Sequence, residues 1–212
     1  MSEYYNEDVY DNNMEGVLPG NNTEKVRPAP VALILVIINV VIFGLSIFFA
    51  PLLTTFGMMD YDLISQGQIY RMFTAMFLHG GAEHLLSNMI MLYAAGDLLE
   101  KKIGHRWFAV IYFLSGLVGN IASYLFEMMS GLRYTSVGAS GAVYGILGAI
   151  IGLAITKTKG FEIPKRRILL ALIFSVYSSF AIPNIDYAAH IGGLVFGLVS
   201  GLLINVIMRS RQ

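Results

Sequence analysis

Ser140 and His190 are the two residues of this sequence whose types could together support nucleophilic catalysis. Serine is a poor nucleophile unless a nearby base takes its proton, and histidine is the usual base near neutral pH. Ser140 opens a long apolar segment, and Gly138 and Gly141 beside it free the local backbone. Amides at a helix N-terminus can also stabilise an oxyanion. The pattern indicates a candidate nucleophile with a candidate base.

A serine in an apolar helix has a simpler alternative role, in which its hydroxyl donates to a carbonyl of its own helix. We expect this hydrogen bond for Ser115, Ser123 and Ser200. Ser140 differs from these three because glycines lie on both sides and because it begins a predicted helix. Residue type alone leaves both roles open for Ser140.

His84 and Asn88 form a second candidate group, since residues four apart lie on one face of a helix. Their side chains could donate together to a developing oxyanion. His79 lies just before them, whereas His105 lies beside Arg106 and is expected to be solvated. His84 and Asn88 are therefore the candidate side-chain donors to an oxyanion.

The composition indicates which kind of fold must position these residues. Of the 212 residues, 56% are hydrophobic and 13% are charged, against about 25% charged in an ordinary soluble domain. We therefore expect an all-α membrane protein with several spans. The net charge is zero and the basic residues are scattered, which argues against a nucleic-acid partner. The absence of cysteine excludes disulfides, thiolate catalysis and cysteine-bound metal.

Six apolar segments are candidates for crossing roughly 30 Å of hydrocarbon, which takes about 20 helical residues. They are Val31–Leu53, His84–Leu99, Trp107–Met128, Ser140–Thr156, Ile168–Ile182 and Tyr187–Met208. Residues 31–208 are thus expected to form one six-span bundle. Residues 1–30 are polar and acidic and lack the apolar core of a cleavable signal peptide. We expect a flexible tail there and a short basic tail at 209–212.

The Lys and Arg residues predict the orientation of this bundle, since they collect on the cytoplasmic side. Most of the 14 lie before span one or after spans two, four and six. Both termini are therefore expected in the cytoplasm. Spans two, four and six then run inward, so Ser140, His190 and His84 share a depth just below the outer surface. A histidine at that depth is costly and functional by default, although one satisfied by backbone groups is the alternative.

Glycines at helical spacing predict which spans pack together. They line one face of span four and one face of span six: Gly141, Gly145, Gly148 and Gly152, then Gly193, Gly197 and Gly201. Small residues let helix backbones approach closely, and general helix packing would explain either stripe alone. Packing these two spans together would also bring Ser140 to His190, which favours the functional interpretation.

Three motifs on three spans resemble those of the rhomboid intramembrane serine proteases. They are Gly138-Ala139-Ser140-Gly141 with Tyr144, His79-x4-His84-x3-Asn88, and Ala189-His190-x-Gly192-Gly193. The resemblance covers about residues 30–208 in the family's order and six-span topology. It implies a serine protease that cleaves transmembrane substrates at or near the outer end of their span, without cofactor or metal. We expect a multi-pass protein of a bacterial-type plasma membrane.

The resemblance also implies a role for each site residue. Ser140 would be the nucleophile and His190 the general base. His84, Asn88 and the Ser140 amide would form the oxyanion hole. Tyr144 would pack on the His190 ring, a core tyrosine being the alternative. The remaining supporting residues are Gly138, Gly141, His79 and Arg71, the last following Tyr70 where the family often has tryptophan.

Asp186 is the obvious candidate for a third catalytic residue, because it lies four residues before His190. A continuous helix would place both on one face, as in a serine protease triad. However, Asp186 follows Pro183 at the predicted outer end of span six, where a carboxylate is solvated and can cap the helix. We therefore predict a dyad, with Asp186 as a helix cap.

Substrate entry is expected to involve the fifth span, 168–182. At 1.5 Å per residue a helix of this length covers only about 22 Å, and it carries several serines. Resemblance to rhomboids suggests that this span and the loop 183–186 move aside to admit substrate.

Two other functions stay open at this point. A metalloenzyme or metal transporter would use His79, His84 and His190, but zinc proteases need a motif such as H-E-x-x-H, and no second histidine follows Glu83-His84 at that spacing. An inactive rhomboid-like protein that binds membrane clients would typically lack the serine or the histidine. Both are present here.

Overall fold

The computed structural model describes residues 29–49, 55, 57–157, 166, 173 and 185–209. The predicted N-terminal tail up to residue 28 lies outside this part of the chain, as does nearly all of the predicted fifth span. The expected movement of that span during substrate entry therefore concerns residues outside the described ranges.

Five long helices make up most of the described chain. In chain order the elements are α1 (Pro30–Phe48), β1 (Met59–Asp60), α2 (Tyr61–Ser65), α3 (Arg71–Thr74), a 3-10 turn (Ala75–Phe77), α4 (Ala82–Ile103), α5 (His105–Ser130), β2 (Thr135–Ser136), α6 (Ser140–Ile155) and α7 (Tyr187–Arg209). The long helices coincide within a few residues with five of the predicted spans. The largest difference is in α1, which ends at Phe48 and not at Leu53.

Three of the described helices are long and apolar enough to cross a membrane: Pro30–Phe48, His105–Ser130 and Tyr187–Ile207. A fourth apolar helix, Ser140–Ile155, is shorter. α4 has the length of a span but carries charged residues in its last turn, Lys101 and Lys102 among them. The fold is thus that of a helical membrane protein, and the six-span topology with cytoplasmic termini stays a prediction.

Glu100 fixes the beginning of α1 beside the end of α4. Its side chain is fully buried, and its carboxylate accepts hydrogen bonds from the N–H groups of Val31 at 3.0 Å and Ala32 at 2.8 Å. The first amides of a helix have no partner within the helix, so this carboxylate acts as a cap. His105, expected to be solvated, is about half exposed but places Nδ1 2.6 Å from Glu100.

α6 and α7 pack face to face through their glycines, which confirms the prediction from glycine spacing. A Cβ added at Gly193 would collide with the carbonyl oxygen of Gly141, and one at Gly197 would collide with that of Gly145. Only glycine allows backbones to approach this closely. The contacts advance along both helices in the same order, so the helices run parallel. The candidate serine and histidine therefore lie at the same end of the bundle.

The long connection between α1 and α4 is held against the segment that leads into α6. β1 pairs antiparallel with β2, and Met59 lies opposite Ser136. Two residues further on, the N–H of Gly138 donates to the carbonyl oxygen of Ala75 at 2.9 Å. The backbone before Ser140 is thus fixed by contacts with this connection.

Arg71 anchors the connection from within. Its guanidinium is buried and donates to the carbonyl oxygens of Thr55 at 2.7 Å and Met58 at 3.0 Å, and to Oε1 of Gln68 at 2.8 Å. A planar guanidinium can serve several acceptors at once because its N–H groups point in fixed directions. Arg71 therefore joins Thr55 and Met58, at the beginning of the connection, to Gln68 in its middle. These contacts form although tyrosine, and not tryptophan, precedes Arg71.

Candidate active site

Ser140 is the first residue of α6 and follows a sharp turn. Gly138 has a φ of +138°, a conformation that glycine adopts far more readily than other residues. Ala139, the N-cap residue, has no side-chain oxygen that could accept from the first amides of the helix. A Cβ at Gly141 would lie 3.5 Å from the Ala189 carbonyl oxygen, an ordinary contact. The positive φ therefore requires backbone freedom at Gly138, and the role of Gly141 stays a prediction.

The ring of His84 approaches Ser140 from the start of α4. Its Cε1 and Nε2 atoms lie 2.9 and 3.0 Å from the position that a Cβ on Gly138 would take. The hydroxyl oxygen of Ser140 lies 3.6 Å from that same position. Because Gly138 has no side chain, an imidazole nitrogen and a serine hydroxyl can share this small space.

His190 lies in the first turn of α7 and is buried. Its ring stacks on that of Tyr144, with 4.1 Å between the ring centroids and 15° between the planes. Tyr144 lies about one turn after Ser140 on α6. The stacking therefore holds the imidazole beside the first turns of α6. The structure thus brings Ser140, Tyr144 and His190 to one helix–helix contact.

Asn88 is buried one turn after His84 on α4. One N–H of its side-chain amide donates to the His84 carbonyl oxygen at 3.1 Å. A side-chain amide carries two N–H groups, so the second could serve another acceptor. The hydrogen bond also fixes the rotamer of Asn88 on the face of α4 that carries His84.

His79 packs against the ring of His84 just before α4 begins. The two imidazoles meet edge to face, with 5.2 Å between their centroids. Burial, and to a smaller extent the neighbouring His84, lowers the pKa of His79 to about 4. His79 is therefore neutral at pH 7 and supports the His84 ring by packing and not by charge.

Asp186 does more than the sequence predicts. Its Oδ1 accepts the N–H of Ala189 at 3.0 Å, which confirms the expected helix cap. The carboxylate was expected to be solvated, but it also accepts the hydroxyls of Ser123 at 2.5 Å, Ser136 at 2.9 Å and Tyr134 at 3.4 Å. Burial raises the pKa of Tyr134 to about 12, so this phenol stays protonated and can donate.

The hydroxyls of the other apolar-helix serines behave in three different ways. Ser200 donates to the Phe196 carbonyl at 2.8 Å, as predicted. The prediction for Ser123 is wrong, because its hydroxyl reaches Asp186 on another helix. The hydroxyl of Ser115 is buried and has no hydrogen-bond partner among the described residues, so that prediction is also wrong. Ser115 lies in the contact with Gly145, where the lack of a side chain gives it room.

A small cavity lies beside Ser140, between α5, α6 and α7. Polar groups from four parts of the chain line it: Asn120, Ser136, Ser140 and Asp186. Sequence reasoning missed Asn120, whose side-chain amide donates to the Met72 carbonyl at 2.6 Å. Among the described residues, no three His, Asp or Glu side chains are grouped so that they could hold a metal ion.

A serine at a helix N-terminus defines a candidate acyl-transfer site in a helical membrane protein when, as here, one histidine stacks on a tyrosine one turn along the same helix and another lies beside the preceding glycine turn. A family profile for the Rhomboid domain matches residues 66–206. The chain belongs to the rhomboid family.

Named relatives agree with this membership. The chain is 36% identical over 155 residues to rhomboid protease GluP of Bacillus subtilis (strain 168), covering 73% of this chain and 30% of GluP. It is 34% identical over 155 residues to the putative rhomboid protease YdcA of the same organism, covering 72% of this chain and 74% of YdcA. RHOMBOID-like protein 5 of Arabidopsis thaliana is 34% identical over 157 residues, covering 73% of this chain and 50% of that protein. The chain thus spans half or less of the length of GluP and of RHOMBOID-like protein 5.

Proposed function

We propose that this protein is an intramembrane serine endopeptidase that cleaves transmembrane proteins at or near the outer end of their membrane span. The observation that carries the proposal is the stacking of the His190 ring on Tyr144, one helical turn from Ser140. Membership of the rhomboid family and similarity to named rhomboid proteases support a protease. The substrate class follows from the same family, together with the apolar helices of this chain.

Ser140 and His190 act as the catalytic dyad in this proposal. The His190 imidazole takes the hydroxyl proton while Ser140 Oγ bonds to the substrate's carbonyl carbon. The imidazolium then gives that proton to the leaving amine, the peptide bond breaks, and an acyl-enzyme ester remains. Water attacks the ester with His190 again as base, which releases the acid product and restores the serine. Ser140, His190, the substrate and water supply every proton and bond in these steps, so the proposal invokes no metal or cofactor.

The oxyanion of the tetrahedral intermediate is stabilised by His84, Asn88 and the N–H of Ser140. His84 Nε2 and Ser140 Oγ lie within 3.6 Å of one point, the Cβ position of Gly138. The Ser140 amide belongs to the first turn of α6 and has no acceptor within that helix. Donors that are fixed before the reaction need no reorganisation when charge develops on the substrate oxygen.

Orientation in the membrane is the remaining part of the proposal. The distribution of Lys and Arg residues supports cytoplasmic termini, with the Ser140 end of the bundle near the outer surface. Water and the outer end of a substrate span can meet at that depth. We place the protein as a multi-pass protein of a bacterial-type plasma membrane, with transmembrane proteins and the lipid bilayer as its partners.

A cleavage assay in proteoliposomes tests this function. The full chain is incubated with fusion proteins that carry different single transmembrane segments, and the products are sized and their termini sequenced. We expect cleavage near the outer end of a span by the unmodified protein and by Ser200→Ala, since the Ser200 hydroxyl donates to the Phe196 carbonyl of its own helix. Ser140→Ala and His190→Ala should abolish it. Client binding without cleavage would indicate an inactive rhomboid-like protein instead.

A further inference from the structure

We propose that Asp186 is a positioning residue that docks the first turn of α7, and with it His190, onto α5 and onto the segment that leads to Ser140. This inference rests on the proposed function, because it assigns Asp186 a role in aligning the two members of the dyad. Asp186 acts through these helices and does not touch the reacting atoms.

The hydrogen bonds of Asp186 join three separate parts of the chain. Oδ2 accepts the hydroxyls of Ser123 on α5 at 2.5 Å and Ser136 on β2 at 2.9 Å. Oδ1 accepts the Tyr134 hydroxyl at 3.4 Å and the N–H of Ala189 at 3.0 Å. The Ala189 contact fixes the carboxylate to its own helix. The other three contacts fix that helix to its surroundings.

Both members of the proposed dyad lie close in sequence to residues that Asp186 hydrogen-bonds. The N–H of His190 donates to the Asp186 carbonyl oxygen at 3.2 Å, so the two residues belong to the same helical turn. Ser136 lies on the short strand just before the Gly138 turn, and so before Ser140. One carboxylate therefore holds the helix that carries the base and the segment that precedes the nucleophile.

The same contacts distinguish this role from that of a triad aspartate. A carboxylate has about four acceptor positions, and here four donors already occupy them. In a triad the aspartate instead accepts the histidine N–H and stabilises the imidazolium. The Asp186 carboxylate therefore accepts hydrogen bonds from serine and tyrosine hydroxyls and from a backbone amide.

Besides Asp186, the start of α7 meets α5 through a glycine contact and through the Phe126 and Tyr187 rings, which meet edge to face with 5.1 Å between centroids. Close approach of the two helices occurs at glycines, with a Cβ at Gly119 coming within 2.6 Å of the Ala189 carbonyl oxygen. Smooth glycine surfaces set the distance between helices but leave the rotation and sliding of one along the other weakly fixed. The directional hydrogen bonds of Asp186 add to the aromatic contact at this helix end and restrict rotation and sliding further.

Asp186→Ala and Asp186→Asn, made in the full chain, test this role. Asparagine keeps an oxygen that can cap α7 and gains an N–H₂ group that can donate to the hydroxyl oxygens, whereas alanine removes every contact. Ser123→Ala removes the shortest contact from the opposite side. Asp62→Ala is the control. The Asp62 carboxylate is mostly exposed, and its ion pair with Arg133 is long, at 3.8 Å.

Two measurements are made on each variant. The first is the rate at which a fluorophosphonate labels Ser140, which reports on the dyad without any need for a substrate. The second is amide hydrogen exchange in peptides covering 187–190, which reports whether the start of α7 is docked, even in an inactive protein.

We expect Asp186→Ala to lower the labelling rate by about 100-fold, as for a catalytic group displaced by about 1 Å, and to speed exchange at 187–190. Asp186→Asn should label within about tenfold of the unmodified protein, since a triad would lose about 10,000-fold. Ser123→Ala should lie between them, and Asp62→Ala should match the unmodified protein.

Three results would overturn the inference. Unchanged exchange in Asp186→Ala would show that Asp186 does not dock α7, and faster exchange with unchanged labelling would make its role purely structural. A loss in Asp186→Asn equal to that in His190→Ala would make Asp186 a triad member. If the unmodified protein is not labelled at Ser140, the proposed function fails, while the exchange data still decide whether Asp186 docks the helix.

Discussion

The imidazole of His190 lies flat against the phenol ring of Tyr144, 4.1 Å away and 15° from parallel. Tyr144 belongs to the helix that Ser140 begins, so the orientation of the proposed base is set by the helix that carries the proposed nucleophile. An aromatic contact of this kind contributes about 0.5–1.5 kcal/mol. That energy favours the stacked rotamer of the histidine over another rotamer by about 2- to 13-fold.

Removing the aromatic ring at position 144 should therefore impair catalysis through the orientation of His190. We expect Tyr144→Ala to lower turnover by about tenfold, the equivalent of about 1.4 kcal/mol, and Tyr144→Phe to stay near the unmodified rate. Initial rates of cleavage in proteoliposomes check this. Equal losses in both variants would show that the phenol hydroxyl matters more than the stacking.

Loss of an oxyanion donor should slow the reaction without unfolding the protein. Removing one such donor usually costs about 100 to 1,000-fold in rate, so we expect His84→Ala and Asn88→Ala each to reduce turnover strongly. The remaining donors can make the single losses smaller than the double loss. Full activity in the double variant, with an unchanged thermal midpoint, would show that the oxyanion is stabilised elsewhere.

The glycine contact between α6 and α7 should tolerate no side chain. A Cβ at Gly197 would overlap the carbonyl oxygen of Gly145, so Gly197→Ala must push the helices apart. Overpacking of this kind costs about 1–3 kcal/mol, and we expect a lower unfolding temperature together with lost activity.

Gly44→Ala provides the matched control for that variant. Gly44 lies within α1 and has open space around its Cβ position. Alanine there should leave the unfolding temperature unchanged or raise it, since glycine inside a helix is less favourable by about 0.5–1 kcal/mol. Thermal unfolding in the same detergent compares the two variants, and an equal effect of both would contradict the packing argument.

Acid should destabilise the protein partly through His79. Its pKa is about 4 in the folded protein and about 6.5 in an unfolded chain. The unfolded state therefore binds more protons between these values, so stability contributed by neutral His79 is present above pH 6.5 and is lost as the pH falls toward 4. We expect the unfolding temperature of His79→Gln to fall less over this window. Identical pH profiles would show that His79 does not contribute to acid unfolding.

The sequence predicts the helices and the α6–α7 contact because their signals are local and periodic. Long apolar runs indicate membrane helices, and glycines four residues apart mark a close-packed face, as Gly193 and Gly197 do. Ser140 and His190 then follow, since each occupies the first turn of a helix in this pair.

The contacts around Asp186 could not be read from the sequence. Ser123 and Ser136 lie 63 and 50 residues away along the chain, and neither has a local motif that distinguishes it from other serines. The expected back-bonding of Ser123 was wrong because a nearby carboxylate is a stronger acceptor than a carbonyl already used by the helix. Such pairings depend on helix rotation, which composition and spacing do not specify.

The most direct test of the account is mass spectrometry of the full chain after reaction with a fluorophosphonate in detergent. A Ser140/His190 dyad predicts one adduct, on Ser140, that forms at a rate dependent on pH and fails to form in His190→Ala. Ser200→Ala should be labelled like the unmodified protein. An adduct on another serine, or labelling of Ser140 that is unaffected by His190→Ala, would contradict the proposed dyad.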